Sequence, residues 1–491
     1  MGVRNGWPIR QDGHVVNNQR VRILVTSALL LASAALTGYS ITALPFYSSR
    51  TGDIETLVPL TAVLWALFGI SLFTLRRVPV RAAIVLVVAG SIAISGAALL
   101  GPPNTSTDSA RYAWDGIVQK AGVSPYQYVP SDPALTELRT DWLFPAPVIG
   151  ADGQPECEGA RIMSVEEPGT GDLVCTAINR ATVPTIYPPT SEIAFFGIRL
   201  FVDADEQYWP MQLAGFLLSI ATTLVLLRTL VKLGRDPRWA AAWGWCPLVA
   251  TEAVTNSHID ALAAFLLVIA VVLAGSGRRW LAGIALGASI ATKLIPAIAT
   301  PALLRPRPWT VLIAAVGAFA LLYVPYVIAS GFGVLGYLPG YLTEEGYETG
   351  SRFILLSFLI PGIGATIVAA ILIAITAAVV WWKSNPADPW LASLFMIGIV
   401  LLIVTPRYPW YALLLVPFIA MTGRWEWLLV PLALTERLLI PSVELARITV
   451  AIAIVIIIVI SARRPGGIPL KRWGVEAWNS LSRRGVNVTE R

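Results

Sequence analysis

Charged residues are scarce in this sequence: Asp, Glu, Lys and Arg make up 13% of its 491 residues, whereas 56% are hydrophobic. This scarcity excludes a soluble globular protein, because soluble domains carry about 25% charged residues. Apolar runs of about 20 residues, long enough to cross about 30 Å of hydrocarbon as helices, recur along the chain instead. The composition therefore predicts an integral membrane protein, with 18 Trp and 14 Tyr available for the membrane interfaces.

Three further absences narrow the class of protein. The chain has no obvious internal repeat, which disfavours the paired halves of many secondary transporters. Its basic residues are scattered among the span ends rather than clustered, so the net charge of +6 does not indicate a nucleic-acid partner. The first apolar stretch has spanning length and no convincing small-residue cleavage site, so we expect no cleavable signal peptide.

The hydrophobic pattern predicts an all-α polytopic membrane protein with a bundle of about 12–14 transmembrane helices. Residues 280–304 are ambiguous, because Lys293 and Pro296 interrupt them; they form either one kinked span or a hairpin of two short helices. The other predicted spans are residues 22–44, 55–75, 82–101, 208–231, 239–255, 258–275, 309–328, 365–382, 389–404, 409–422, 425–441 and 446–462.

Lys and Arg in short connections mark the cytoplasmic side of a membrane. Their positions predict that both termini lie in the cytoplasm, and we expect the membrane to be the plasma membrane. Arg305 and Arg307 fall on that side only if residues 280–304 enter the membrane and return, which favours the hairpin. The predicted parts are a cytoplasmic segment 1–21, three spanning helices in 22–101, an extracytoplasmic loop with amphipathic segments 102–207, a bundle 208–462 and a basic cytoplasmic tail 463–491.

The long loop differs from the other connections in charge and in cysteine content. Residues 102–191 contain eleven acidic and five basic residues. Cys157 and Cys175 also lie here, and in an oxidising exterior they could form a disulfide that closes a loop of 19 residues. Such a bond is worth roughly 3 kcal/mol in the chain-entropy model. Two unpaired thiols are the alternative.

The segment "DSARYAWDGIVQKAGVSPYQY", residues 108–128, opens this loop directly after a span. Asp108 and Asp115 lie seven residues apart, so on a helix they share a face, with Arg111 and Tyr112 nearby. A carboxylate flanked by aromatic rings at the membrane surface is suited to take a proton from a hydroxyl group. The alternative is an ordinary solvated loop carboxylate.

Five segments in order resemble the GT-C membrane glycosyltransferases, and more narrowly the actinobacterial polyprenyl-phosphomannose-dependent mannosyltransferases. The likeness covers roughly residues 82–462. Three spans precede the acidic loop where many relatives have one, so the first two are a candidate added pair. The five segments are "DSARYAWDGIVQKAGVSPYQY" at 108–128, "IYPPTSE" at 186–192, "NSHIDALAAFLLVIAVVLAG" at 256–275, "ASIATKLIPAIATPALL" at 288–304 and "TPRYPWYALLLVPFIA" at 405–420.

The resemblance implies a GT-C-like bundle whose long, structured first outer loop carries Asp108 as the catalytic base. It also implies a polyprenyl-phosphate sugar donor, an acceptor that is a lipid-linked or cell-envelope glycan, and inversion of the anomeric centre. The sugar is expected to be mannose, with arabinose as an alternative. Other readings are a lipid or solute transporter or flippase, and a ligase or polymerase that uses a lipid-linked oligosaccharide.

A departing lipid phosphate needs positive charge and hydrogen-bond donors. Lys293 is an ionisable residue among apolar neighbours, which is expensive in a membrane unless it meets a partner or a wet cavity; a lysine that snorkels to the interface is the alternative. The guanidinium of Arg407 can hold two phosphate oxygens. His258 is a candidate contact for the donor phosphate or the sugar, and Asp260 and Tyr408 are further candidate site residues. No metal ion is required, although weak Mg²⁺ or Mn²⁺ participation is compatible with this chemistry.

Aromatic and polar side chains of the outer loop are candidates to bind sugar, because sugar rings stack on flat apolar faces. An interfacial aromatic girdle is the alternative. Residues 331–352 are rich in Gly and Tyr and are a candidate mobile lid, and Glu436 and Arg437 are expected to pair inside the bundle. The candidate sugar or acceptor contacts are Arg111, Tyr112, Trp114, Asp115, Tyr126, Tyr128 and Tyr187.

Overall fold

The computed structural model describes residues 12–46 and 54–464 and is predominantly helical within them. Most of the predicted cytoplasmic segment 1–21 and nearly all of the tail 463–491 therefore lie outside the described residues. The chain is an all-α polytopic membrane protein, as predicted. Its helices of spanning length are Gln19–Ala43, Glu55–Leu75, Val80–Ala97, Trp209–Lys232, Pro308–Glu344, Ile363–Lys383 and Val443–Arg463.

The first three helices form a packed group at the N-terminal end: α1 (Asp12–Ala43), α2 (Ile54–Leu75) and α3 (Val80–Ala97). α1 packs against both others, and the Thr26 hydroxyl donates a hydrogen bond to the Thr74 hydroxyl across the α1–α2 contact at 3.0 Å. Side-chain hydrogen bonds of this kind help helices associate where lipid removes the hydrophobic driving force.

Residues 102–207, which we call the cap, form a structured polar region. The cap holds α4 (Asp108–Lys120), α5 (Pro189–Arg199) and two antiparallel hairpins, β1–β2 (Val148–Ile149, Pro155–Glu156) and β3–β4 (Met163–Glu166, Leu173–Thr176). Cys157 and Cys175, the predicted pair, form a disulfide in the structure. α4 packs closely on α5 because Gly116 faces it: a Cβ there would lie 2.6 Å from the Phe195 carbonyl oxygen.

The remaining helices form the bundle. Between the α-helices lie short 3-10 turns, and residues Val249–Thr255 form a π-helix. The bundle helices are α6 (Trp209–Lys232), α7 (Ala241–Gly244), α8 (Asp260–Gly275), α9 (Arg279–Ile290), α10 (Thr300–Leu303), α11 (Pro308–Ser330), α12 (Leu338–Glu344), α13 (Leu356–Leu359), α14 (Ile363–Lys383), α15 (Trp390–Val404), α16 (Val416–Thr422), α17 (Leu429–Leu439) and α18 (Val443–Arg463).

Several predicted spans are broken helices in the structure. Seven helices of the described chain have spanning length and hydropathy, or eight if a pair bent by 110° is one span, fewer than the 12–14 predicted. Residues 239–255, for example, consist of α7 and the π-helix on either side of Pro247. Irregular backbone at membrane depth is tolerated where protein covers it, and here the Gln212 amide donates to the Thr255 carbonyl at 2.8 Å.

Residues 279–303 fold back as the favoured hairpin. The guanidinium of Arg279, at the start of α9, donates to the carbonyl of Leu303 at 3.4 Å, so the two ends of the segment meet. α9 also packs directly on α11, since a Cβ on Gly287 would lie 2.3 Å from the Ala315 carbonyl oxygen. The tip of this hairpin, around Lys293, points toward the cap, because the Thr292 carbonyl accepts a hydrogen bond from the Ser191 hydroxyl.

Candidate active site

A cavity of about 560 Å³ lies where the cap, the hairpin tip, residues 337–347 and residues 408–411 meet. It brings together side chains from four parts of the chain that are far apart in sequence. Its polar and aromatic lining residues include Asp108, Arg111, Arg161, Asn179, Arg180, Tyr187, Lys293, Tyr337, Tyr341, Tyr347, Tyr408, Trp410 and Tyr411.

Asp108 is the first residue of α4 and lines this cavity. A helix N-terminus stabilises negative charge, since its free N–H groups carry partial positive charge. The Asn179 amide donates a hydrogen bond to one carboxylate oxygen at 2.6 Å, and the side chain of Asp108 is 18% exposed. The carboxylate is therefore oriented by the protein and still accessible from the cavity. Apart from its place in the loop, nothing in the sequence marked Asn179 as a residue of the site.

His258 lies between two carboxylates. Its Nδ1 is 3.6 Å from an oxygen of Asp108, and its Nε2 is 3.3 Å from an oxygen of Glu252. Both ring nitrogens are buried and neither has a hydrogen-bond partner among the described residues. The imidazole stacks on the Trp410 ring at 3.8 Å. A small shift of Asp108 would complete a hydrogen bond to His258.

Glu252 is a site residue that the sequence reasoning missed. It sits on the π-helix, is 3% exposed and accepts a hydrogen bond from the Asn256 amide at 2.9 Å. The Asn256 side-chain oxygen in turn accepts from the backbone N–H of Asn104 at 3.0 Å, just before α4. The available signal was a lone acidic residue inside the predicted span 239–255, which marks a functional site by default.

Lys293 lines the cavity at the hairpin tip and has a buried partner. Its ammonium lies 2.7 Å from a carboxylate oxygen of Asp260 and 4.6 Å from the centre of the Tyr411 ring. Asp260, the first residue of α8, is fully buried, and its second oxygen has no hydrogen-bond partner among the described residues. An ammonium carries three donors, so Lys293 retains donors for a ligand while Asp260 compensates its charge.

Of the two adjacent candidates Arg407 and Tyr408, the structure places one in the lining of the cavity and the other outside it. Tyr408 lines the cavity and stacks on Trp410 at 4.5 Å. Arg407 is exposed, lies 6.0 Å from the centre of the Tyr408 ring, and is not among the residues that line the cavity. Arg161 and Arg180, which the sequence reasoning did not select, line the cavity instead.

The candidate sugar contacts divide into a lining group and a packing group. Arg111 and Tyr187 line the cavity. Tyr112 is buried and stacks on Phe195 at 4.5 Å. The remaining aromatic residues lie inside the cap: Trp114 packs on Phe144, Tyr128 lies against the same cluster, and the Tyr126 hydroxyl donates to the Tyr187 carbonyl at 2.5 Å.

Asp115 belongs to a buried ionisable cluster between α4 and α5. Its carboxylate lies 2.8 Å from the Arg111 guanidinium. Burial raises the pKa of Asp115, and the nearby Arg111 charge opposes that rise. Burial, reinforced by the charge of Asp115, raises the pKa of Glu192 well above its usual value. Thr185 and Gln119 also donate hydrogen bonds to Glu192, so this cluster fixes the helix that presents Asp108.

Residues 331–352 cover one side of the cavity through α12. The Tyr341 hydroxyl lies 2.7 Å from the Tyr411 hydroxyl. Arg180 of the cap lies 2.9 Å from Glu344. These two contacts hold the candidate lid against both walls of the cavity, and its mobility stays a prediction. The described residues contain no group of three or more His, Cys, Asp or Glu side chains that would hold a metal ion.

Comparison with known proteins gives one match. The sequence model for glycosyltransferase family 87 matches residues 186–406, just under half of the chain. The matched stretch includes Tyr187, His258, Asp260 and Lys293, whereas Asp108 lies before it. No curated protein and no solved structure matches the chain. Together with the helices of spanning length, this similarity supports a membrane glycosyltransferase.

Proposed function

We propose that the protein transfers a single sugar, mannose, from a polyprenyl-phosphate donor to a lipid-linked or cell-envelope glycan acceptor, with inversion, on the extracytoplasmic face of the plasma membrane. The observation that carries the proposal is the cavity in which Asp108 and Lys293 face the same space. One is a base for a hydroxyl group and the other a cation for a phosphate. Arabinose is the alternative sugar.

In the proposed reaction, Asp108 takes the proton of an acceptor hydroxyl as its oxygen attacks the anomeric carbon. The bond from that carbon to the phosphate oxygen breaks, and the phosphodiester leaves as a monoester anion. The hydrogen bond from Asn179 orients the carboxylate. Direct displacement inverts the anomeric centre, so a β-linked mannosyl donor gives an α-mannoside and no covalent enzyme intermediate forms.

The donor phosphate is proposed to bind at Lys293 and to be covered by the Tyr411 ring. Leu294, Ile295 and Ile298 follow Lys293 and line the same cavity, which provides an apolar wall for the first isoprene units. His258 and Tyr408 are proposed to contact the phosphate or the sugar. Arg180 adds a second cation at the cavity, and Arg407 contributes only if its exposed side chain turns inward.

No metal ion is required in this proposal, because the leaving group is a monophosphate ester rather than a diphosphate. A chelator should therefore leave the rate of transfer unchanged, with weak support by Mg²⁺ or Mn²⁺ as the alternative outcome.

The test is transfer by the purified protein. It is incubated with polyprenyl-phosphate mannose or polyprenyl-phosphate arabinose and with candidate lipoglycan acceptors, and the product is analysed for sugar, linkage and anomeric configuration. If the protein neither hydrolyses nor transfers sugar from either donor, the proposal is overturned. Movement of the intact lipid across proteoliposomes without sugar transfer would indicate a flippase, and a requirement for an oligosaccharide donor would indicate a ligase or polymerase.

A further inference from the structure

Two further cavities continue from the candidate active site toward the membrane-facing surface. A narrow cavity of about 40 Å³ shares Thr105 and Leu438 with the active-site cavity. A third cavity, of about 340 Å³, lies between α2 and the helices α17 and α18, and we call it the α2–α17 groove. The groove shares four lining residues with the narrow cavity: Thr61, Trp65, Thr435 and Leu439. The three cavities therefore lie in a row from the neighbourhood of Asp108 to the surface of the bundle, and shared side chains separate each from the next.

The lining is polar in the first two cavities and becomes apolar in the groove. The active-site cavity carries the charges of Asp108, Lys293 and three arginines. The narrow cavity has a mixed lining of apolar side chains and of hydroxyl and amide side chains, such as Ser40 and Asn104, together with the carboxylate of Glu252. The groove is lined mostly by Val, Ala, Leu and Ile. An amphiphile that has a sugar headgroup, a polar connecting group and a hydrocarbon chain has the same order of polarity.

We propose that the α2–α17 groove holds the hydrocarbon chain of the acceptor lipid, whose headgroup hydroxyl then lies at Asp108. This inference rests on the proposed function. The narrow cavity, which links the groove to the active site, shares Thr105, three residues before Asp108, with the active-site cavity, and Lys293 does not line it. The apolar residues that follow Lys293, among them Ile298, line the active-site cavity and neither the narrow cavity nor the groove, so the donor chain has its own wall.

Glu436 distinguishes an acceptor lipid from a polyprenyl chain in the groove. It lines the groove, and one of its carboxylate oxygens accepts a hydrogen bond from the Thr449 hydroxyl at 3.0 Å. The other oxygen is buried and has no hydrogen-bond partner among the described residues. A buried polar atom without a partner is costly, and a hydroxyl near the lipid chain would satisfy it. A polyprenyl chain carries no such donor.

The groove should orient the acceptor rather than hold it tightly. A chain that moves from the bilayer into an apolar groove exchanges one apolar environment for another, so the hydrophobic gain is small. Its benefit is that the headgroup enters the cavity along a fixed path, with its hydroxyl held near Asp108. The narrow cavity is small, so Trp65 and Leu439 must move apart for a chain to pass.

The first experiment blocks the groove. Thr61→Trp fills the passage, whereas Val63→Trp on the same helix points outward, because Val63 is 49% exposed and does not line the groove. Transfer from polyprenyl-phosphate mannose is measured to hexadecyl α-mannoside and to methyl α-mannoside. Thr61→Trp should lower kcat/KM for the hexadecyl acceptor by about tenfold or more, a change of about 1.4 kcal/mol. Methyl α-mannoside should be used at the unmodified rate, and Val63→Trp should affect neither acceptor.

Equal losses for both acceptors in a folded Thr61→Trp protein would overturn the proposal, since damage to the active-site cavity would explain them. Unchanged transfer to both acceptors would overturn it too. Melting curves of the two Trp variants establish that each is folded.

The second experiment does not depend on transfer or on a variant. The unmodified protein is irradiated with hexadecyl α-mannoside that carries a diazirine at mid-chain, and labelled peptides are mapped. Labels should concentrate in α2 and α17 and should be displaced by unlabelled hexadecyl α-mannoside. If polyprenyl phosphate displaces them equally, the occupant is the donor; if a diazirine phosphatidylcholine labels the groove without competition, it is ordinary bilayer lipid. Either result overturns the inference. Correct labelling without any transfer would instead reject the proposed function alone.

Discussion

Replacement of Asp108 by Asn tests the proposed displacement directly. The amide has the size of the carboxylate, and its oxygen can still accept the hydrogen bond that Asn179 donates at 2.6 Å. What it loses is the negative charge and the ability to take a proton. We therefore expect a folded protein that binds the donor normally but transfers sugar slowly.

The size of the loss follows from the role of the carboxylate. A positioned general base contributes about 10²- to 10⁴-fold to a rate, which corresponds to roughly 2.7 to 5.5 kcal/mol of transition-state stabilisation. The charge of Asp108 also lies 3.6 Å from His258. Its removal leaves the imidazole with Glu252 as its nearby carboxylate. The loss should therefore appear in kcat, with the donor KM changed little.

Asp115→Asn provides the contrast within the same helix. Asp115 is buried beside Arg111, with side-chain exposures of 2% and 5%. Loss of one partner of a buried ion pair typically costs about 3 to 5 kcal/mol of stability. This variant should therefore melt at a lower temperature while it retains more of the transfer rate than Asp108→Asn.

The assay is initial-rate transfer by purified protein in detergent, with donor binding measured separately and thermal unfolding followed in parallel. Asp141→Asn is the matched control, because Asp141 is an exposed carboxylate of the cap. Normal transfer by Asp108→Asn together with an inactive, folded Asp115→Asn would reverse the two roles. Full activity of both would refute the displacement mechanism built on α4.

Three other predictions concern the phosphate, the buried carboxyl and the disulfide. Lys293→Ala should raise the donor KM by about tenfold to a hundredfold, because a charge-assisted contact is worth about 1.5 to 3 kcal/mol. The control is Lys120→Ala on the exposed surface of the cap. A donor KM unchanged by Lys293→Ala would assign Lys293 a snorkelling role. Glu192 binds its proton more tightly when folded, so its contribution to stability is lost as pH rises above its ordinary value of 4.5. Glu192→Gln should flatten that decline of the melting temperature between pH 4.5 and 8, and an unaltered slope would mean that Glu192 is ionised. Cys157→Ser with Cys175→Ser should destabilise the cap by roughly 3 kcal/mol in the loop-entropy model, and reductant should reproduce the loss in the unmodified protein but leave the double variant unaffected.

The membrane class of this fold could be predicted from composition, because long apolar runs leave few other structures. The continuity of each span could not. Residues 239–255 and 409–422 are apolar enough to be read as straight helices, but prolines and tertiary hydrogen bonds break them, as with the bond from Gln212 to the Thr255 carbonyl. Hydropathy measures how well a segment suits lipid or a protein interior, and a buried broken helix scores as well as a straight one.

The site was predictable where a residue was unusual in its own neighbourhood. Lys293 and His258 stand out in apolar segments, and both lie at the cavity or beside it. Glu252 was equally unusual but was hidden in a predicted span. Asn179 and Arg180 are ordinary in a polar loop, and only the fold brings them near Asp108.

Some aromatic residues of the cap show the opposite error: they stand out in the sequence but do not line the cavity. A Trp in a polar loop suggests a ligand, yet Trp114 packs on Phe144 inside the cap. A small domain needs large side chains to build any core, and the sequence does not mark which of its rings face inward.

The π-helix before α8 makes the number of residues in this segment as important as their identity. Such a helix contains one more residue in its turn than an α-helix would, and it is a rare conformation. Here the wider turn and the bend that follows place Glu252 against the imidazole six positions later. Removal of one residue from Val249–Thr255 would replace the wide turn by an ordinary helical turn and move Glu252 or its neighbours by one position relative to His258. Related chains could thus vary in composition along this segment, but a change in its length would be expected to abolish the alignment of the two side chains.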